Sequence, residues 1–389
     1  MGYNVDVVTN ANLVEDNFRV DDSDLKAWCD DKLEHGVGSL SIHCLRSPPA
    51  TQFIPSSSEF SVRLTNLASD VVEQRGSDLI VGWYFVPYAI AAEQVASRYR
   101  LPLVLAHAGS DLYRLSADPE LRLSIKHALA SASKVMTFRS LQTVRALNAL
   151  GVDDSKLIML GGGRLPDYMF PARDFRTGLG DWASRPRILH YAKVSESKGT
   201  FDLVRALILM ADRGVDFEFA YVRIGWPRAL EALDRLILSN KNLADRTTPI
   251  AAVPPWRVKD LLMSSQIVVV LERNFSIAAH SPRLVREVLA AGRCLVVSSE
   301  VASKQKFSRS IVHGKTAVVV DDPANVDVLH RRLTEVATGA DRRRSIAVHG
   351  HLLSQAFEDS LSGSNAYAKC IAEIASTEDV GAVVGIERS

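Results

Sequence analysis

Short runs of apolar, mostly β-branched residues recur along the chain, and each is followed by a longer stretch whose apolar positions return every three or four residues. The short runs read as buried strands and the longer stretches as helices, and their alternation predicts parallel sheets built from βαβ units. In the first half the predicted strands are 4–9, 39–45, 78–83, 101–107, 134–138 and 156–160; in the second half they are 187–193, 217–224, 247–251, 267–271, 294–298 and 316–321. Between the two sets stand Gly161, Gly162 and Gly163, then a poorly periodic stretch with Pro166, Pro171, Gly178, Gly180 and Pro186, which is linker chemistry. The pattern therefore predicts a first domain over 1–165, a linker over 166–186, a second domain over 187–362, a closing helix over 363–376 and a tail over 377–389. A helix over 323–338 is expected to start with Asp322 as its cap and Pro323 in its first turn. The Ser- and Pro-rich stretch 47–58 and the tail read as mobile surface segments, and no repeat of solenoid or propeller length appears.

Composition narrows the class without naming it. A chain of 389 residues exceeds what one core usually organises, and 47% hydrophobic residues supply material for two. The 46 basic and 45 acidic residues leave a net charge of +1, so there is no global field to recruit nucleic acid, and at most peripheral membrane contact is expected. Cys29, Cys44, Cys294 and Cys370 form no CxxC pair, which argues against a zinc knuckle or a disulfide framework and for reduced, cytoplasmic thiols. No apolar run is long enough to span a membrane, and Asp6 stands where a myristoylation signal wants Ser or Thr.

Candidate chemistry concentrates at predicted strand ends. The strand from Arg187 runs into a cationic loop holding Lys193 and Lys198, then into a helix that starts near Gly199. Ligands of open α/β sheets bind beyond the carboxyl ends of strands, where helix N-termini favour anions, so two lysines five residues apart suit a diphosphate. Alternatively, they solvate a turn. Glu287, in a helix before the strand at Cys294, is placed either to accept hydrogen bonds from two neighbouring hydroxyls or to pair with Arg283. His280 is a candidate contact or a loop residue. His107 ends an apolar strand, facing a ligand crevice or hydrogen-bonded in the core, and Ser110 or Asp111 can cap the next segment. Trp83 and Tyr84 offer flat rings for stacking on a sugar, with core packing as the alternative. No Asp-x-Asp pair lies at a strand end, so no metal and no cofactor are expected.

These segments, in this order, resemble the family 4 glycosyltransferases. The loop from Ala192 is similar to the family's Gly-Arg-Leu-x-x-x-Lys-Gly, with Ala192 and Lys193 in place of Gly and Arg and with Lys198 and Gly199 retained. Residues 279–292 resemble the Glu-x7-Glu region: Glu287 matches the second glutamate, Ala279 replaces the first, and His280 is a substitute one place on. Residues 101–112 resemble the strand ending in His-Gly-Ser-Asp, with Ala108 inserted after His107, and residues 78–87 resemble Asp-Val-Ile-His-x-His with aromatics for the histidines. Residues 2–9 resemble the family's second strand, which implies a first domain short of its first strand and a hole in its hydrogen-bond ladder.

The resemblance implies an α/β protein of GT-B type, with two Rossmann-like domains facing across a cleft. It further implies transfer of a sugar, with retention, from a UDP- or GDP-type nucleoside-diphosphate sugar to a hydroxyl of a glycan, lipid-linked or small-molecule acceptor. Lys193, Lys198 and Gly199 would hold the donor diphosphate, Glu287 its ribose and His280 its sugar. His107, Lys193 and Lys198 would act on the reacting centre, and Trp83, Tyr84 and Asp111 would line the acceptor side. A phosphorylase or epimerase of the same fold, or a non-catalytic sugar-nucleotide-binding or scaffold subunit, are the alternatives.

Overall fold

Val268, Val269 and Val270 are apolar on both sides of the backbone, which only a strand covered on both faces can satisfy. They belong to β10 (Ile267–Val270), one of six parallel strands with β7 (Arg187–His190), β8 (Glu218–Val222), β9 (Thr247–Ile250), β11 (Cys294–Ser298) and β12 (Val318–Val320). The computed structural model describes residues 3–10, 38–46, 59–138, 140–160, 164–170, 185–275, 280–361 and 366–377. The spatial order of the six strands is β12-β11-β10-β7-β8-β9. Read from the other edge this is the doubly wound order, with the chain reversing direction between β7 and β10. One core layer, on the Ile188, Val269 and Val296 side, is closed by the helices Thr200–Asp212 and Val326–Thr338; the opposite layer, on the Leu189, Val268 and Leu295 side, is closed by Leu284–Ala290.

The chain forms two compact units, and residues 164–170, 185–275 and 280–361 make up the described part of the second. The first carries β3 (Ile80–Trp83), β4 (Leu103–Ala106), β5 (Lys134–Phe138) and β6 (Leu157–Leu160) in one parallel sheet, in that order. Its β1 (Asn4–Thr9) and β2 (Ser39–Cys44) pair with each other in a separate two-stranded sheet. Among the described residues no ladder joins β1 to β3, at the place where a doubly wound sheet carries its central strand. Val5, Val7, Val81 and Trp83 are exposed on the two interrupted strands. The closing helix, Ala366–Thr377, lays Cys370 and Ile374 over Val104, Ala106 and Met136 of the first unit.

Both units are Rossmann-like, as the alternation of strand and helix predicts. Several strands end sooner than their apolar runs. β4 stops at Ala106 and β7 at His190, because the chain beyond leaves the ladder: Val194 N–H bonds Ile224 O at 2.6 Å in an isolated bridge. The helix expected from Pro323 begins at Val326, capped by Asn325, whose Oδ1 accepts Val328 N–H at 3.1 Å; Asp322 accepts Ala324 N–H instead, in the preceding turn. The stretch 47–58, most of the linker and the residues beyond 377 lie outside the described residues. Among the described residues no helix is long and apolar enough to cross a membrane.

Candidate functional site

In the second unit the chain reverses direction between β7 and β10, and the loops leaving these two strands meet. After β7 the chain passes Tyr191 and Lys193, then makes a short 3-10 turn over Glu196–Lys198 whose Ser195 Oγ accepts Lys198 N–H at 3.3 Å. Gly199 follows at φ 70°, and a Cβ there would sit 2.6 Å from both Cβ and O of Leu271, so the lysine loop fits against β10 only with glycine at this position. Thr200 opens a helix of 13 residues, and its hydroxyl binds His190 Nε2 at 2.9 Å and accepts Ser195 N–H at 3.3 Å. These contacts aim the helix N-terminus at the space beyond β7, where anions are favoured.

Lys198 does not stand alone there. Its ammonium donates to Glu272 Oε1 and lies 4.5 Å from the centre of the Phe275 ring. His280 Nε2 reaches the same Oε1 at 3.1 Å, and its ring lies 4.4 Å from that of Phe275. Glu272 is only 2% exposed. Burial pushes its carboxyl pKa up, but the hydrogen bonds from His280 and Lys198 outweigh burial and hold it below the usual value.

The start of the loop that carries Glu272 is pinned at each of residues 272–275. Glu272 O accepts Ser298 Oγ at 2.6 Å, and Arg273 N–H bonds Ser197 O at 2.9 Å. The Arg273 guanidinium binds the buried Asp202 at 2.8 Å. Glu300 takes the amides of Asn274 and Phe275, which holds Asn274 at φ 52°, a left-handed conformation uncommon outside glycine.

The remaining donor-side candidates lie in the same unit. Lys193 Nζ lies 4.8 Å over the ring of Trp226, which is 59% exposed just before the helix Pro227–Leu238. Gly225 lets this loop approach, since a Cβ there would press on Val194 at 3.1 Å. Glu287, in the helix Leu284–Ala290, pairs with Arg283 at 3.0 Å, the second of the two roles that the sequence allows it. Burial raises its carboxyl pKa against the pull of Arg283 and Arg286. Its charge also reaches Tyr191, whose phenol is pushed up first by burial and then by Glu287. Ala279 lies outside the described residues.

The first-unit candidates form their own group. His107 follows β4, is buried, and shares a 2.9 Å hydrogen bond between Nε2 and Thr137 Oγ1. Burial lowers its pKa, opposed by the charge of Asp111. Asp111 is fully buried, and its carboxylate accepts the amides of Phe85, Ala108 and Leu112 at 3.0, 3.0 and 3.1 Å. This local amide capping fixes the turn after His107. Tyr84, at φ 79°, hydrogen-bonds Ser110 Oγ at 3.1 Å, whereas Trp83 is 46% exposed at the end of β3.

Lys198 and His280 are thus brought together on Glu272, and the charge of Glu287 reaches Tyr191. Glu272, Phe275, Tyr191 and Trp226 do not stand out as donor-side residues in the sequence. A sequence signal for Glu272 does exist: a lone carboxylate directly after the apolar run Ile267–Leu271, where a parallel strand delivers ligand-facing residues. Among the described residues no three His, Cys, Asp or Glu side chains cluster as a metal site would require.

No protein-family model matches the chain, and no curated protein matches it in sequence. Solved structures match it across most of its length. Sucrose-phosphate synthase from Thermosynechococcus elongatus superposes with a TM-score of 0.60 at 14% identity, covering 97% of this chain and 99% of that one. Anabaena Alr3699/HepE, solved in complex with UDP-glucose, gives 0.57 at 16% identity over 90% and 88%. TarM, solved in complex with fondaparinux, α-GlcNAc-glycerol and UDP, gives 0.54 at 10% identity over 80% and 59%. The fold is that of the GT-B glycosyltransferases.

Proposed function

We propose that this protein is a glycosyltransferase of family 4 type that moves a sugar from a nucleoside-diphosphate sugar to a hydroxyl acceptor with retention. The observation that carries the reading is the Lys198 loop. A glycine-dependent turn presents a lysine and the N-terminus of the helix Thr200–Asp212 beyond β7, with Lys193 on the same loop. In this reading the donor diphosphate lies against Lys193, Lys198, Gly199 and the first amides of the helix, and Glu287 receives the ribose hydroxyls. His280 lies towards the sugar. The bond from the anomeric carbon to the diphosphate oxygen breaks, and the acceptor oxygen takes that carbon. Charge gathers on the departing diphosphate, where the two ammonium groups and the helix terminus stabilise it without a metal ion. For the first unit the reading keeps His107 as a catalytic candidate and Trp83, Tyr84 and Asp111 as candidates for acceptor binding, the exposed indole of Trp83 offering a stacking face. Structures of the same fold solved with UDP and UDP-glucose support a nucleotide-sugar donor.

The test is turnover. Incubation with UDP-, GDP- and ADP-hexoses and a set of glycan, lipid-linked and small hydroxyl acceptors should release free nucleoside diphosphate from one donor, dependent on an acceptor and indifferent to chelator. Tight binding of a donor with no release under any acceptor would make the protein a non-catalytic sugar-nucleotide-binding subunit.

A further inference from the structure

Lys198 and His280 share one internal carboxylate oxygen, Glu272 Oε1. Any anion that approaches Lys198 therefore meets a fixed negative charge at the same place. The Phe275 ring covers one side of the ammonium and Glu272 occupies one of its three protons, so the ligand does not gain a bare cation. The backbone that carries this carboxylate is held in place, because Ser197 and Asp202 on one stretch and Ser298 and Glu300 on another bind residues 272–274. Arg273, the neighbouring cation, is already taken up by Asp202 at 2.8 Å and Glu196 at 3.8 Å. The summed charge of the Lys198–Glu272 pair is zero.

We propose that Glu272 is a charge-discriminating residue that makes this site favour the nucleoside-diphosphate sugar over the free nucleoside diphosphate that transfer leaves behind. This rests on the reading above, that the diphosphate lies at Lys198. The chemistry follows from the ligands' own charges. A diphosphate esterified at both ends carries roughly two negative charges, and once the sugar has left, the terminal phosphate ionises near pH 6 and the total approaches roughly three. Repulsion from a fixed carboxylate scales with that charge, so the product is penalised more than the substrate. The site holds donor well and sheds product.

Calorimetric titration of UDP and UDP-glucose at pH 7.5 into the wild type and Glu272→Gln tests this. The amide keeps the shape and removes the charge, so both ligands should bind more tightly, UDP more so, with the affinity ratio moving about fivefold toward UDP. Equal gains for both ligands, or weaker UDP binding, would overturn the proposal and leave Glu272 as a residue that merely aims Lys198. Because an unpaired ammonium can unsettle the fold, the same comparison is made in a Lys198→Gln background, where Glu272→Gln should again recover UDP more than UDP-glucose. Should the wild type bind neither ligand, the diphosphate reading itself falls, which is a different result from an unmoved ratio.

Discussion

Glu272 loses nearly all its hydration on folding, and the hydrogen bonds from Lys198 and His280 are what make that burial tolerable. His190 is the opposite case, a histidine buried without an acid beside it. Burial lowers its pKa from 6.5 to about 4. The unfolded chain therefore takes up a proton at pH 6.5 that the folded chain refuses until about pH 4. Its contribution is fully present above pH 6.5 and falls away as acid is added, by about 3 kcal/mol at the lower end. Urea unfolding of His190→Gln between pH 7 and 4 should show a shallower acid limb than the wild type, and an unchanged limb would mean that His190 titrates normally. Glu287→Ala belongs to the same scale: with Arg283 as its salt-bridge partner, it should change stability by less than about 1 kcal/mol while weakening nucleoside diphosphate binding about tenfold. Residue identity was the most legible part of the sequence where a motif marked it, as at Lys198 and Gly199. Glu272 shows in the sequence only as a lone carboxylate after an apolar run; its pairing with Lys198 does not, because the two lie 74 residues apart and strand order brings them together.

The turn between β7 and its helix shows how an element carries function. Gly199 is held at φ 70° against Leu271, so Gly199→Ala meets both a disfavoured backbone and a 2.6 Å contact. A loss of about 2 kcal/mol is expected, seen as a melting temperature lower by about 5 °C, together with loss of nucleotide binding. Gly76→Ala is the control, since its φ of 73° is equally unfavourable but nothing lies within 4 Å of the new methyl. Equal effects at the two glycines would show that packing against Leu271 is unimportant. At this scale strand centres were readable from runs such as Ile267–Val270, whereas their ends were not. An apolar run says which residues need covering; the last ladder bond depends on a neighbour's amide, as Val194 and Ile224 show. The helix opens at Val326 and not at Pro323 for a related reason, since Asp322 and Asn325 are both competent caps and the turn between them decides which one serves.

For the whole molecule, the alternation of strand and helix announced parallel sheets of βαβ units in two sets, but only the order β12-β11-β10-β7-β8-β9 puts the loops after β7 and β10 side by side. Composition could not have supplied that order. Among the described residues β1 and β2 pair only with each other. Each unit has its own core, so perturbations should separate by unit. Ile374→Asp puts a charge against Val104 and Met136 and should destabilise the first unit by about 3 kcal/mol. A bound nucleotide should stabilise the second by about 2.7 kcal/mol at one hundred times its dissociation constant. Calorimetric scans that show both changes acting on a single, inseparable transition would contradict that division.

The central claim is that the second unit grips a nucleoside diphosphate with the lysines after β7. Titration of UDP, GDP and ADP into the wild type, Lys193→Ala and Lys198→Ala tests it most directly. The account predicts that at least one diphosphate binds the wild type and that each substitution weakens it about tenfold or more, the loss expected when a charge-assisted hydrogen bond is removed. Binding that survives both substitutions, or its absence from the wild type for all three nucleotides, would contradict it.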